Sequence, residues 1–306
     1  MTTPRADQMP FNLKIYLEKK RRIVDEALRE VFRNPGDCPS ALWESMKYSV
    51  FAGGKRLRPI LCLAAADAVG LPQRAALRIA CSLELIHTYS LIHDDLPSLD
   101  DDDYRRGRRT NHKVFGDAMA ILAGDGLQTL AFEWVSNPSV YSAQNRKNVP
   151  RVVNELAHYA GYQGMVGGQV DDVLSERKKP SLSKVLSIHR RKTGALLLSS
   201  VKLPALLAGA SPRKVSALTE YGRSAGLAFQ IVDDILNETG ESKKLGKTAG
   251  SDRSRGKMTY PSVIGLEKSK REVERLTRRA VQALESFNAK ADPLKAIARY
   301  MAERTN

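Results

Sequence analysis

The chain has 306 residues and a mass of 33.8 kDa, and 42% of its residues are hydrophobic. This composition supplies a sizeable apolar core and excludes a disordered chain. The sequence has no run of about 18 or more apolar residues, so no transmembrane helix is expected. The N-terminus lacks the apolar stretch of a secretory signal. The three cysteines, Cys38, Cys62 and Cys81, are odd in number and lack metal-ligand spacing. We therefore expect reduced thiols and a cytoplasmic protein without stable membrane insertion.

Charge is the unusual property of the composition. Lys and Arg number 49 against 34 acidic residues, which gives a formal net charge of +15. Such an excess is compatible with nucleic acid, an anionic membrane surface or a polyanionic small substrate. Aromatic residues make up only 6% of the chain and do not alternate with basic ones, so no nucleic-acid partner is expected. Part of the excess lies beside an acidic segment, at Arg105, Arg106, Arg108 and Arg109, which favours a small polyanion.

Apolar residues at three- and four-residue spacing predict helices along most of the chain. In chain order the predicted helical segments are Phe11–Phe32, Ala41–Phe51, Ala75–Leu91, Val114–Val135, Val149–Met165, Leu182–Leu207, Arg213–Leu236 and Ser262–Phe287. Gly and Pro residues separate these segments, and no alternating β-branched run predicts a strand. We therefore predict an all-α fold in which residues 1–306 form a single domain of about ten helices around a central cavity.

The first acidic segment, His93–Gly107, has the sequence HDDLPSLDDDDYRRG, and six of the ten residues from Asp94 to Asp103 are aspartate. A solvated loop is the ordinary interpretation of such a run. Asp94 and Asp95, however, directly follow a predicted helix, whose macrodipole makes negative charge unfavourable at its C-terminal end. A cation would offset that cost, and carboxylate oxygens suit Mg²⁺. The segment therefore predicts a magnesium site.

The second acidic segment is Phe229–Glu238, FQIVDDILNE, in which Asp233 and Asp234 interrupt a strongly apolar helical stretch. Because unpaired buried charge is very costly, these carboxylates are expected to have cationic partners. Asp233 and Asn237 are at positions i and i+4 and share one face of the helix. Two acidic sites on separate helices would together form a cage for Mg²⁺ and a diphosphate.

Basic residues accompany glycine in several segments. The sequence GGKRLRP places Lys55, Arg56 and Arg58 before an expected helix and after a glycine pair, which permits close approach of an anion. His87 lies about two helical turns before Asp94 on the same face, although a single helical His is more often structural. Lysines next to Gly or Thr follow downstream, at Lys192, Lys247 and Lys257.

Together these segments resemble the trans-isoprenyl diphosphate synthase family, most closely its bacterial farnesyl and geranylgeranyl diphosphate synthases. The matching stretches occur in the family's order and spacing: GGKRLRP, LIHDDLPSLDDDDYRRG, GMVGGQVDD, HRRKTGALL, GLAFQIVDDIL, LGKTAGSD and GKMTYP. The resemblance implies the isoprenoid synthase fold, isopentenyl and allylic diphosphates as substrates, three Mg²⁺ ions bound with the substrate diphosphate, and a homodimer.

The resemblance also implies roles for individual residues. Asp94, Asp100 and Asp233 correspond to magnesium ligands, with Asp95 in support. The allylic diphosphate would be bound by Arg105, Lys192, Lys247 and Lys257, and isopentenyl diphosphate by Lys55, Arg58, His87 and Arg106. The oxygens that stabilise the developing cation would come from Thr193 and Gln230. The family most often has a third aspartate where this chain has Asn237, which puts the role of Asn237 in doubt.

The implied reaction is head-to-tail prenyl transfer. The allylic C–O bond ionises, the double bond of isopentenyl diphosphate attacks the cation, and a proton is lost. A class I terpene cyclase is the nearest alternative, but the second acidic segment lacks the spacing of a cyclase motif. A non-catalytic subunit would be expected to lose aspartates or lysines that this chain keeps. A basic protein that binds nucleic acid or membrane is supported by the net charge alone.

Product length is predicted from the helix before Asp94. Tyr89 lies about 7.5 Å along this helix from Asp94, and with Ser90 it is placed to form the floor of the cavity in which the product grows. Ordinary core packing is the alternative role for Tyr89. In the resembling family an aromatic residue here, with the extra Pro97-Ser98, goes with a C15 product. We therefore predict farnesyl diphosphate, with geranylgeranyl diphosphate as the alternative.

Overall fold

In a computed structural model of the protein, residues 11–176, 178–179, 181–240 and 257–303 are described. The predicted site residue Lys247 and the LGKTAGSD segment lie outside the described residues. The α-helices are α1 (Leu13–Val31), α2 (Ser40–Val50), α3 (Leu57–Val69), α4 (Gln73–Asp94), α5 (Asn111–Phe115), α6 (Asp117–Ser136), α7 (Ala143–Arg146), α8 (Val149–Ala160), α9 (Met165–Val173), α10 (Leu182–Ile188), α11 (Ala195–Leu207), α12 (Pro212–Thr239), α13 (Tyr260–Ile264), α14 (Leu266–Ala283) and α15 (Asp292–Ala302).

A short antiparallel hairpin follows the first acidic segment. Its strands are β1 (Tyr104–Arg105) and β2 (Arg108–Arg109). Arg106 and Gly107 form the turn, with φ angles of 55° and 76°, and two consecutive positive φ angles are typical of the tightest hairpin turns. The prediction that no strand is present is wrong here, because a strand of two residues shows no alternating pattern. The remaining regular segments are 3₁₀ turns at Pro138–Val140 and Ala289–Ala291 and a π-helix at His189–Gly194.

The long helix α12 begins and ends at residues suited to those positions. The Ser211 side chain accepts a hydrogen bond from the backbone N–H of Lys214, and Pro212 occupies the first helical position. The helix ends at Gly240, which has a left-handed φ of 80°. α12 therefore continues without a break through Asp233.

The centre of the fold is formed by apolar helices. α3 packs against α4 and α11, and α11 packs against α12. Nearly every side chain of α11 is buried. By length and composition alone α4 could cross a membrane, but 72% of its apolar stretch is buried inside the protein. That burial is the packing of a core helix, and it fixes the position of the acidic segment that follows α4.

The predicted all-α fold is confirmed, although the helices are more numerous and have different ends. Gly116 separates α5 from α6 and Gly265 separates α13 from α14, because each has a φ of 85°. The helix expected directly after the glycine pair is present as α3, but periodic spacing did not identify it, since a helix buried on nearly all sides shows no periodic polar face. The prediction also missed α7, α9 and α15. That residues 1–306 form one domain stays a prediction.

Candidate active site

The first acidic segment starts where α4 ends, as predicted. Asp94 is the last residue of the helix and Asp95 is its C-cap. The backbone N–H of Asp100 donates to the carbonyl oxygen of Asp94 at 2.8 Å, so the intervening loop folds back on the helix end. This hydrogen bond brings the backbones of the two predicted magnesium ligands of the segment together.

Asp95 and Arg105 contact each other. Arg105 Nε donates to both carboxylate oxygens of Asp95, at 2.7 and 2.8 Å, and its Nη2 lies 3.3 Å from Asp102. The Asp95 side chain is buried. Burial raises the pKa of Asp95 above its ordinary value, even though Arg105 acts in the opposite direction. In this structure Asp95 therefore fixes the position of Arg105, which was predicted to bind a diphosphate.

The hairpin turn directs Arg106 towards the glycine pair. Arg106 Nη1 donates to the carbonyl oxygen of Gly53. A Cβ atom on Gly54 would lie 2.7 Å from the Arg106 guanidinium, closer than van der Waals contact allows. A side chain at position 54 would therefore displace the Arg106 guanidinium, and the φ of 126° independently favours glycine there.

The three basic residues of GGKRLRP have different surroundings. Arg56 is buried and donates to Asp25 at 2.9 Å and to Glu84 at 2.7 Å, so it holds α3 to α1 and α4. Lys55 is exposed. Burial lowers the pKa of Arg58 to about 10, while Glu84 and Asp233 are among the charges that stabilise its protonated form. Arg56 is thus structural, and Arg58 lies within electrostatic reach of the second acidic segment.

His87 lies in a cationic environment. Burial lowers the pKa of His87 well below its ordinary value, and Arg58, Arg106 and Arg105 lower it further. The imidazole is therefore neutral near pH 7. A group of arginines around a neutral histidine is an arrangement that an anion would stabilise.

Asp172 on α9 joins two of the predicted diphosphate-binding lysines. Lys192 Nζ donates to Asp172 at 2.6 Å, and Lys257 Nζ lies 3.6 Å from the same oxygen. Lys257 also donates to Asp100 at 3.0 Å. Burial raises the pKa of Asp172, but the two lysines outweigh it and the pKa lies below its ordinary value. Two lysines from distant parts of the chain thus converge beside the first acidic segment.

The two aspartates of the second acidic segment have different surroundings. Asp234 Oδ2 lies 3.1 Å from Nε2 of the buried His189 and accepts a hydrogen bond from the backbone N–H of Tyr260 at 2.7 Å. Burial lowers the pKa of His189, but Asp234 outweighs it and the pKa lies above its ordinary value. Asp233 contributes to the electrostatics of both Arg58 and His189. It therefore lies within reach of both cationic groups.

The remaining predicted residues lie nearby or in the core. Thr193 is in the π-helix beside Lys192, and Gln230 is on α12; both are partly buried. A π-helical turn within a helical segment is often associated with a functional site. The Ser90 hydroxyl donates to the carbonyl oxygen of His87 at 2.9 Å. Asn237 is buried.

Tyr89 is part of the hydrophobic core. Its side chain is 4% exposed, and its ring centroid lies 5.8 Å from that of His93 in an edge-to-face arrangement. Burial raises its pKa to about 12, with a smaller contribution from Asp94. In the described part of the chain the Tyr89 hydroxyl has no hydrogen-bond partner. The alternative role considered for Tyr89, core packing, is present in the structure.

Asp172 and His189 were not predicted as members of the site, whereas Asp234 was expected to have a cationic partner and contacts His189. Asp172 lies in GMVGGQVDD and His189 in HRRKTGALL, two stretches that carried the family resemblance. Their chemistry was not assigned because a carboxylate on a short helix and a single His are not specific signals. A large cavity of about 470 Å³ between α14 and α15 contains none of the predicted site residues.

Comparison with known proteins agrees with this geometry. The Polyprenyl synthetase family model matches residues 39–301. The chain is 48% identical over 299 residues to the chloroplastic geranylgeranyl pyrophosphate synthase of Capsicum annuum, covering 97% of this chain and 80% of that protein. It is 44% identical over 305 residues to the geranylgeranyl diphosphate synthase of Cyanophora paradoxa, covering 98% and 99%.

A solved structure shows the same fold. The FPP/GFPP synthase of Zymomonas mobilis superposes with a TM-score of 0.85 at 37% identity, covering 95% of this chain and 99% of that one. The family predicted from the motifs is therefore confirmed, and this chain belongs to the Polyprenyl synthetase family.

Proposed function

We propose that this prenyltransferase joins allylic diphosphates head-to-tail with isopentenyl diphosphate and releases geranylgeranyl diphosphate as its main product. The observation that carries the proposal is the convergence of Lys192 and Lys257 on Asp172, with Lys257 also on Asp100. Ammonium groups held by carboxylates beside an acidic segment are positioned to receive a diphosphate that arrives with Mg²⁺.

The residues present are suited to magnesium. Asp94, Asp100 and Asp233 offer the carboxylate oxygens that Mg²⁺ prefers. The described residues contain no group of three His, Cys, Asp or Glu that could hold a metal ion alone. This agrees with Mg²⁺ taking its remaining ligands from water and from substrate phosphates. When bound, the ions would neutralise the charge that develops on the leaving diphosphate.

Protein residues would supply the other requirements of the reaction. Lys192 and Lys257 would leave Asp172 to bind the allylic diphosphate. Arg58, Arg106 and the neutral His87 would bind the diphosphate of isopentenyl diphosphate. The oxygens of Thr193 and Gln230 would lie near the allylic cation. Binding both substrates in one orientation removes much of the entropic barrier to carbon–carbon bond formation.

For product length, the relatives favour C20 over the C15 predicted from Tyr89. The two geranylgeranyl diphosphate synthases are 48% and 44% identical to the chain, whereas the FPP/GFPP synthase is 37% identical. The alternative prediction, geranylgeranyl diphosphate, therefore replaces farnesyl diphosphate as our proposal. An aromatic residue at position 89 is then compatible with a C20 product in this chain.

The test is product chromatography. Purified protein is incubated with Mg²⁺, labelled isopentenyl diphosphate and either dimethylallyl, geranyl or farnesyl diphosphate, and the products are dephosphorylated and separated. A C20 alcohol from all three primers is expected. Accumulation of C15 without elongation of farnesyl diphosphate would contradict the C20 product. Cyclic hydrocarbons, or no product, would contradict prenyl transfer itself.

We also propose that the enzyme is a homodimer. α9 leaves Val166, Val170 and Val173 exposed on one face, an apolar row that a second copy would cover. Light scattering of the purified protein should give twice the chain mass of 33.8 kDa. Val170→Lys should shift the mass towards that of one chain; an unchanged dimer would place the interface elsewhere.

A further inference from the structure

Asp234 uses a single oxygen for two contacts. Its Oδ2 lies 3.1 Å from His189 Nε2 and accepts the backbone N–H of Tyr260 at 2.7 Å. The Asp234 and His189 side chains are 13% and 6% exposed. Successive helical residues point about 100° apart, so Asp233 and Asp234 face different surroundings. The first lies within reach of Arg58, and the second is directed at two other segments of the protein.

The first of these segments carries Lys192. His189 is the first residue of the π-helix His189–Gly194, which also contains Lys192 and Thr193. α9 lies close to this π-helix, because a Cβ atom on Gly168 would be 2.2 Å from the backbone nitrogen of Lys192. Gly168 therefore allows the backbone at Lys192 to pack directly on α9, and the contact between His189 and Asp234 joins the π-helix to α12 on another side.

The second segment carries Lys257. Tyr260 is the first residue of α13, where backbone N–H groups need acceptors. The N–H of Tyr260 is satisfied by Asp234, and that of Ser262 by the Thr259 side chain. The Tyr260 ring also stacks on His189, with centroids 6.4 Å apart and planes 22° apart. The chain just after Lys257 is thus joined to both α12 and the π-helix.

We propose that Asp234 is a positioning residue that fixes Lys192 and Lys257 relative to Asp233. It acts through His189 and through the backbone of Tyr260, and it does not bind the metal. The inference rests on the proposed function, because it assigns a role within the same site. The two neighbouring aspartates of the second acidic segment then have different roles. Asp233 faces the substrate complex, and Asp234 holds the protein segments that bind the diphosphate.

Two substitutions separate positioning from metal binding. In Asp234→Asn the amide oxygen can take the place of Oδ2 and accept both hydrogen bonds, while the negative charge is lost. In Asp234→Ala both hydrogen bonds are lost. We expect Asp234→Ala to lower kcat/KM for the allylic substrate by about 10- to 100-fold, the range for residues that support a ligand shell. Asp234→Asn should recover to within about threefold of the wild type, because its contacts are retained.

The magnesium requirement is the decisive measurement. At saturating allylic substrate, the Mg²⁺ concentration for half-maximal rate should stay within about twofold of the wild type in both Asp234 variants, since no ligand is removed. Asp233→Asn is the matched control and should raise the Mg²⁺ concentration for half-maximal rate. If Asp234→Asn raises the requirement as Asp233→Asn does, Asp234 is a metal ligand and the proposal is wrong. Full activity of Asp234→Ala would also overturn it.

Two further measurements do not depend on prenyl transfer. Calorimetry of pyrophosphate with Mg²⁺ should show about tenfold weaker binding to Asp234→Ala and near-normal binding to Asp234→Asn. Amide exchange should show faster exchange at Tyr260 in Asp234→Ala only. If the wild type makes no prenyl product, the proposed function fails while these results still decide the role of Asp234. If Asp234→Ala does not fold, His189→Leu, which removes the donor to Asp234, replaces it, and unchanged pyrophosphate binding in that variant would contradict the proposal.

Discussion

Lys257 donates a hydrogen bond to Asp100 at 3.0 Å although 157 positions separate the two residues in the chain. Both side chains are largely buried, with 11% and 7% of their surfaces exposed. A buried ion pair is costly to form unless its geometry and further hydrogen bonds are favourable. Its presence beside two acidic segments is explained if the lysine is held in place for an anionic substrate.

Lys257→Ala should therefore impair the reaction with the allylic substrate, and it should also lower stability because Asp100 loses a buried partner. Loss of a charged donor to the leaving group typically costs about 10²–10³ in rate, and we expect a fall of that size in kcat/KM for farnesyl diphosphate. The KM for isopentenyl diphosphate should change much less. Steady-state kinetics with each substrate varied in turn would measure both effects.

Lys270→Ala is the matched control for this variant. Lys270 pairs with Glu267 on α14 at 3.0 Å, where both side chains are well exposed. Exposed ion pairs contribute about 0–1 kcal/mol, so neither kinetics nor stability should change appreciably. Equal kinetic losses in the two variants would contradict the assignment of Lys257 to the diphosphate.

Gly54→Ala tests the assignment of Arg106. The added Cβ would lie 2.7 Å from the Arg106 guanidinium, so the side chain must move. We expect the KM for isopentenyl diphosphate to rise by about tenfold or more, as for a misplaced binding group. Initial rates at varied isopentenyl diphosphate and saturating allylic substrate would measure this.

Gly53→Ala separates this effect from backbone strain. Gly53 also has a positive φ, 91°, but a Cβ there would meet nothing within 4 Å. Both variants should lose stability, because alanine is strained at positive φ. Only Gly54→Ala should raise the KM strongly. Similar KM values in the two variants would show that Arg106 is not a substrate-binding residue.

The sequence predicted those parts of the fold and site that depend on local pattern. Amphipathic spacing predicted most helices, and the position of Asp94 at the end of α4 followed from the apolar segment before it. Spacing alone did not give the bounds of α3, because its side chains are buried on nearly all sides. Nor could it predict that Gly116 and Gly265 divide two helical segments, since a glycine inside a helical pattern is often tolerated.

Long-range contacts were the main gap in predicting the site. Arg56 and Arg58 are two positions apart in one motif, yet Arg56 is buried against Asp25 and Glu84. Only the packing of α1 and α4 on α3 decides which of the two arginines is structural. In the same way, nothing local to Asp234 indicates that its partners are His189 and the backbone of Tyr260.

His87→Asn should change how stability depends on pH. The pKa of His87 in the folded protein lies well below its ordinary value, so the unfolded chain binds a proton that the folded protein does not. Above about pH 6.5, the pKa of the unfolded chain, His87 is neutral in both states and the free energy of unfolding is highest. As the pH falls below 6.5 towards the pKa of the folded protein, the unfolded chain takes up the proton and the free energy of unfolding decreases, with a limiting slope of about 1.4 kcal/mol per pH unit.

Urea unfolding at several pH values between 7.5 and 5 would measure this effect. The wild type should lose stability towards acid pH more steeply than His87→Asn. His158→Asn, at an exposed position on α8, is the matched control, because it makes the same substitution and leaves His87 in place. If His87→Asn and wild type have the same slope, the imidazole is not held neutral by its surroundings.

Substitutions of Tyr89 test both its packing and its role in product length. The Tyr89 hydroxyl is buried and, among the described residues, without a hydrogen-bond partner. Tyr89→Phe should therefore raise the free energy of unfolding by up to about 1 kcal/mol, because an unsatisfied polar group is removed. Its products should remain C20, since the ring is kept. Chemical unfolding and product chromatography would measure the two properties.

Tyr89→Ala removes the ring as well. Truncation of a large buried side chain typically costs about 3–5 kcal/mol, and the space released near the end of α4 should allow products longer than C20. Tyr89→Phe controls for the hydroxyl in both assays. A C20 product from Tyr89→Ala, together with the expected loss of stability, would show that Tyr89 is a core residue alone. The floor of the product cavity would then be formed by other residues.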